Sequence, residues 1–127
     1  MSLKELHETL ISYSKNKSPG IDGLTAELYL SFWDLVGPLL LDVYNEAFQE
    51  GILPENMRVG LITLLEKKDK NRLLIENWRP ITLLGVDYRL LSKCLGGRLK
   101  RVLPKLIHPD QNGFVPGGSI FFFCTYY

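Results

Sequence analysis

The chain has 127 residues, 46% of them hydrophobic, which is enough for one core and too little for two ordinary domains; no apolar stretch approaches the roughly 20 residues that span a bilayer. Cys94 and Cys124 lack metal-ligand spacing, and the opening MSLKELHETL carries charges where a secretory signal would be apolar, which predicts an intracellular protein of cytoplasm or nucleus with no disulfide partner and no membrane. The net charge of +1 divides unevenly, with 3 Lys/Arg against 9 Asp/Glu in residues 1–57 and 12 against 5 in residues 58–127, so the second half is either a surface for a polyanion or a solvated basic face.

Ser2 and Glu5 form a capping-box pattern, and Leu3, Leu6, Leu10 and Ile11 recur with helical spacing; the spacing predicts a first helix from Leu3 to Tyr13. Lys15 to Gly23, KNKSPGIDG, contains Pro-Gly and Asp-Gly and breaks regular structure. Thr25 is placed to cap a second helix with an apolar face of Leu28, Phe32 and Leu35, ended by Gly37-Pro38, where a third helix starts. That third helix carries Leu39, Leu40, Val43 and Ala47 and closes near Gly51, with Pro54 just beyond. Trp33, Phe32 and Tyr44 fall in helix-core register and read as packing.

Arg58 to Leu65 and Pro80 to Leu84 are short apolar runs separated by the polar EKKDKNRLLIENW. They predict an antiparallel β-hairpin with a long basic tip. Asp87 is placed to cap a last helix to about Leu103, with Leu91, Leu95, Leu99 and Val102 on its apolar side. At 100° per residue Arg89, Lys93 and Lys100 share a narrow opposite sector. Gly96-Gly97 inside that helix costs roughly 1 kcal/mol per glycine relative to alanine and implies either a kink or the close approach of another backbone. The fold class is α+β, helices predominating, with one small hairpin.

The chemistry concentrates in NWRPITLL. Arg79 stands between a tryptophan and a proline that restricts it to extended backbone, which stiffens the stem of a guanidinium fork. Lys67, at the end of the preceding strand, is brought by an antiparallel hairpin to the same mouth. A Lys point charge with an Arg fork suits the phosphates of a nucleoside triphosphate. The plain alternative pairs Arg79 with Glu76 and leaves Lys67 as a solvated loop lysine. Trp78 either stacks on a base or covers the hairpin, the second being favoured. His7 and His108 stand alone, without a metal site or a triad.

The strings KSPGIDGLTAELY, GILPENMRVGLITLLEKKDK, NWRPITLLGVDYRLLSKCLGGRLKRVLPKLI and QNGFVPGGSI together resemble the N-terminal, fingers-side part of reverse transcriptases of non-LTR retrotransposons, the LINE type. The resemblance covers nearly all of residues 15–120 in the family's order. It implies one partial reverse transcriptase domain over 1–127, the helix-rich fingers of a right-hand polymerase, closing over an RNA template or RNA/DNA hybrid and a deoxynucleoside triphosphate. By the same resemblance Arg79 and Lys67, or its neighbour Lys68, contact the triphosphate, and the Lys17 to Gly23 loop lies near the template. Arg89, Lys93 and Lys100 would hold a nucleic-acid backbone without reading sequence.

Two departures qualify this. Gly118 stands where the family usually has an Arg that grips the template. The family's palm carboxylates, which hold Mg²⁺, do not follow GFVPGGSI, and no acidic residue lies beyond Asp110. The expectation is a reverse transcriptase stopped at the fingers–palm boundary, palm missing, inert alone and without a cofactor, Mg²⁺ belonging to an intact polymerase. The alternatives are a non-catalytic nucleic-acid-binding module and a degenerate element copy without function. The apolar tail IFFFCTYY reads as an aggregation hazard.

Overall fold

A computed structural model describes residues 1–106. In chain order these form α1 (Leu3–Ile11), α2 (Ala26–Ser31), α3 (Trp33–Glu50), a 3₁₀ turn (Glu55–Arg58), β1 (Gly60–Glu66), a second 3₁₀ turn (Ile75–Asn77), β2 (Trp78–Leu84) and α4 (Val86–Leu106). The class is α+β with a two-stranded antiparallel sheet. The expectations for His108, Gly118, Cys124 and the apolar tail lie outside the described residues.

The α1 cap forms as the sequence predicts, the Ser2 hydroxyl accepting the Glu5 N–H at 3.2 Å, and Leu6 and Leu10, four apart, bury fully. They meet Leu40 and Tyr44 of α3, Met57 of the first 3₁₀ turn, and Val86, Leu90, Leu91 and Cys94 of α4 in one core. Tyr44 is the largest side chain buried there, and its hydroxyl donates to the Asp87 carbonyl at 2.8 Å. That bond ties the middle of α3 to the first turn of α4 while satisfying a polar atom in an apolar setting. Gly51 closes α3 at φ 73°, the left-handed cap its sequence position predicts.

Several expectations are corrected. Thr25 does cap α2, at 3.4 Å from the Leu28 N–H, but Leu28, Phe32 and Leu35 are exposed, as is Leu39 of α3. The face that packs carries Tyr29, and both α1 and α3 contact α2. The α2–α3 break falls at Phe32 rather than at Gly37-Pro38, and Pro38 lies inside α3. Gly37 serves packing instead: a Cβ there would sit 2.8 Å from Cε2 of the Trp33 indole, which stacks on His7 with ring centroids 5.0 Å apart.

In α4 the pre-helix position belongs to Gly85, whose carbonyl accepts the Arg89 N–H at 3.1 Å. Asp87 sits in the first turn and accepts its neighbour's N–H, from Tyr88, at 2.7 Å. The helix α4 continues through Gly96-Gly97, and the close approach of another backbone is not found there, nothing lying within 4 Å of where a Cβ would sit on either glycine among the described residues. The buried face of α4 is correspondingly short: Leu91 and Cys94 are inside, whereas Leu95, Leu99 and Val102 are exposed.

The loop between α1 and α2 docks on the end of the hairpin. Gly20 is buried against Gly85, and a Cβ on it would lie 2.5 Å from the Gly85 nitrogen. Only a residue without a side chain permits that approach.

Candidate nucleotide and nucleic-acid interface

The hairpin register runs from Gly60 opposite Leu84 to Glu66 opposite Trp78, with Leu65 facing Arg79. Lys67 extends the ladder one step, its N–H donating to the Asn77 carbonyl at 2.8 Å. Side chains two apart on a strand share a face, so Lys67 and Arg79 lie diagonally adjacent on one face at the open end. Pro80, which has no N–H, is tolerated because both strands of a two-stranded sheet are edges.

The two cations differ in freedom. Lys67 is half-buried and its ammonium donates to the Glu76 carbonyl at 2.6 Å. Arg79 is exposed and forms no ion pair among the described residues. The basic tip is bound to itself: Arg72 pairs with Glu66 at 2.7 Å, the Asn77 amide donates to the Asn71 carbonyl at 2.8 Å, and the Trp78 indole N–H donates to the Arg72 carbonyl at 2.9 Å. The Trp78 indole is thereby tied back to the tip. Lys68 is exposed.

A second cationic feature lies at the other end of β2. Between the end of α1, the loop after it, the start of α2 and the first two turns of α4 is a cavity of about 540 Å³. Lys17, Arg89 and Lys93 line it, and so bring together three side chains that the sequence placed on a loop and on a helix stripe. Lys100, the last member of the stripe, does not: seven residues further along α4 it stands about 10 Å beyond Lys93.

Tyr13 organises the cavity wall. The Lys93 ammonium lies 4.3 Å and the Arg89 guanidinium carbon 5.9 Å from its ring centroid, both in cation–π range, and Lys93 also donates to the Ser12 carbonyl at 3.1 Å. Burial pushes the Tyr13 phenol up to about 12, against a smaller lowering by the Arg89 charge. The acidic group of the lining is Glu27; the Asn16 N–H donates to its carboxylate at 2.7 Å and is the main cause of its lowered pKa. Asn16 adopts φ 57° to make that contact.

Sequence reasoning missed Tyr13, Tyr88, Ser92 and Glu27 as parts of this wall. A signal existed for α4: Tyr88 with Ser92 and Arg89 with Lys93 are both spaced by four and so share one side of the helix. For Tyr13 there was none, since only the packing of α1 on α4 brings it over the cations.

Elsewhere the charges serve the fold. Glu5 and Arg98 form a two-pronged bridge of 2.7 and 2.5 Å between α1 and α4, and that hydrogen bonding holds the Glu5 carboxyl at about 2. Burial, with the nearby Asp22 charge, raises the Asp87 carboxyl. Cys94 is a free, buried thiol whose pKa burial raises. No helix among the described residues is long and apolar enough to cross a membrane.

No family model matches the chain. It is 48% identical over 121 residues, 95% of its length, to a "Transposon TX1 uncharacterized 149 kDa protein" of Xenopus laevis. It is 28% identical over 92% of its length to a "Probable RNA-directed DNA polymerase from transposon BS" of Drosophila melanogaster. A "Retrovirus-related Pol polyprotein from type-1 retrotransposable element R1" of Bradysia coprophila is 26% identical over 94% of the chain. The chain spans only about a tenth of the length of these relatives, 9, 13 and 12% respectively.

Proposed function

The chain belongs by homology with the proteins of non-LTR, LINE-type retrotransposons, and on that premise we propose that it is the fingers-side part of an RNA-directed DNA polymerase and that its hairpin contacts the triphosphate of the incoming deoxynucleotide. The observation that carries this reading is the strand register, in which Arg79 and Lys67 share one face of the hairpin's open end.

The chemistry follows from charge and geometry. A nucleoside triphosphate presents several anionic oxygens in a row. Arg79, on a stem stiffened by Pro80, offers paired N–H donors to two oxygens of one phosphate, and Lys67 adds a point charge to the next. Exchange of the Glu76 carbonyl for a phosphate oxygen frees the Lys67 ammonium, at the cost of one neutral-acceptor hydrogen bond. Together they fix the phosphates in line and offset the charge that builds as pyrophosphate leaves. In an intact polymerase, Mg²⁺ and the carboxylates holding it would come from a segment other than residues 1–106.

The test is binding of dATP, followed by NMR line shapes of the nucleotide, to the chain and to Arg79→Gln and Lys67→Gln. Affinity is expected to fall about tenfold for Arg79→Gln, the loss of a charged two-point contact, and less for Lys67→Gln. Equal affinities in all three proteins would sink the reading.

A further inference from the structure

We propose that the outer edge of β1 is a self-association surface, pairing antiparallel with β1 of a second copy of this chain about a two-fold axis at Thr63. The inference stands apart from the polymerase reading and uses neither hairpin cation.

The phase of the ladder fixes which groups the edge presents. Lys67 donates to the carbonyl of Asn77, the residue directly opposite it, and hydrogen-bonded pairs alternate with non-hydrogen-bonded ones along an antiparallel ladder. Leu61, Thr63 and Leu65 therefore bond inward to β2, while the N–H and C=O groups of Gly60, Ile62, Leu64 and Glu66 point away from it. The sheet has two strands among the described residues, so these outward groups meet no third strand there.

The two edges of the hairpin are not equivalent. By the same alternation Trp78, Pro80, Thr82 and Leu84 face outward on β2, and Pro80 puts a residue without an N–H in the middle of that row. The β1 edge has no such block. Gly60–Glu66 contains neither proline nor lysine, the residues that commonly keep an edge strand from pairing, and its Leu61, Ile62, Leu64 and Leu65 are all exposed.

What fits this edge is the same strand. All seven residues pair only when Thr63 faces Thr63 of the second copy, which sets Ile62 against Leu64, Leu61 against Leu65 and Gly60 against Glu66. Every outward N–H then meets an outward C=O. Apolar side chains oppose apolar ones on both faces, and Glu66, the one charge of the strand, meets a glycine rather than a like charge. A two-fold contact demands such self-complementarity. Because Pro80 obstructs the other edge, assembly closes at two copies. The contact is small, seven residues a side against roughly 20–30 in a standard interface. The dimer is therefore a weak one, half-formed at about 100 µM.

The experiment is sedimentation velocity of the chain from about 5 to 500 µM, a range that brackets this midpoint, and a reversible monomer–dimer equilibrium is expected. Thr63→Lys and Thr63→Glu each place like charges face to face on the axis and should each raise the dissociation constant about tenfold. An equimolar mixture of the two variants sets opposite charges face to face and should recover the dimer, which separates a lost contact from a lost fold. Register is read by cross-linking in a Cys124→Ser background. Cα atoms about 4.5 Å apart in a non-hydrogen-bonded pair are within disulfide reach, so Thr63→Cys should oxidise to a covalent dimer, whereas Leu61→Cys, opposite Leu65, should not. A chain that stays monomeric throughout overturns the proposal in favour of a strand from elsewhere in a longer polypeptide. Dimerisation of both charge variants at the wild-type midpoint, or no recovery in their mixture, overturns it too. Species that keep growing beyond two copies overturn the closed pairing.

Discussion

The four helices and the hairpin are built on opposite principles. Among the described residues every buried hydrophobic side chain belongs to a helix or to the first 3₁₀ turn, and no residue of β1 or β2 is buried. The helices are held by apolar contact, with Tyr44 and the Glu5–Arg98 bridge as polar ties. The hairpin is held by its ladder and by the hydrogen bonds of its tip, while apolar side chains on both its faces stay in contact with solvent, Ile62 being 67% exposed on one face and Leu65 51% on the other. A surface meant to move over a ligand, or to be covered by another part of a larger protein, gains from such construction; a core does not.

Mutations that separate the two regimes should differ most. Tyr44→Ala empties the largest fully buried position and removes the bond to Asp87, and should cost about 3–5 kcal/mol, whereas Leu64→Ala in the hairpin should cost under about 1 kcal/mol. Urea denaturation of both variants measures the contrast. Equal losses would mean that the hairpin belongs to the same cooperative unit and is covered in solution.

The joint between the regions is next. Gly20→Ala forces a methyl against the Gly85 backbone and should destabilise by about 1–3 kcal/mol, with hydrogen exchange quickening at β2 and the start of α4. In the opposite direction, Gly96→Ala and Gly97→Ala meet open space and each should raise the urea midpoint by an amount worth up to about 1 kcal/mol. A loss at either glycine would show that something else approaches α4 there.

Smallest is the pH effect. Glu5 is more acidic in the folded chain, about 2 against 4.5, so the Arg98 bridge contributes in full above pH 4.5 and is lost as pH falls through about 2. Thermal melts of wild type and Glu5→Gln should diverge above that window and converge below it. Because the pair is part-exposed, the gap should shrink in high salt.

Much of this was legible beforehand, and the reasons are particular. The Ser2 cap, the Gly51 stop and the hairpin are local: a hydroxyl three residues from an N–H, a residue tolerating positive φ, two β-rich runs within reach of each other. That a hairpin brings Lys67 and Arg79 to the same mouth was legible from the two strands, but whether Lys67 or Lys68 shares a face with Arg79 was decided by the register. Phe32, Leu35 and Leu39 failed because helical periodicity identifies an apolar stripe but not which of two stripes meets a neighbour, and α2 and α3 offer more apolar side chains than so small a core can enclose. Pro38 and Asp87 failed because indole packing on Gly37 and the Gly20–Gly85 contact outweighed local end signals.

The sequence by itself determined the class, the order of elements, the hairpin with its two cations and the kinship with retrotransposon proteins, since each depends on spacing along the chain. Only the tertiary structure decided that Tyr13, Arg89, Lys93 and Lys17 form one wall, because their meeting depends on how α1 lies across α4. The same contact leaves the Tyr13 hydroxyl and the Arg89 Nε buried and unpaired among the described residues, a consequence of packing that no spacing along the chain encodes.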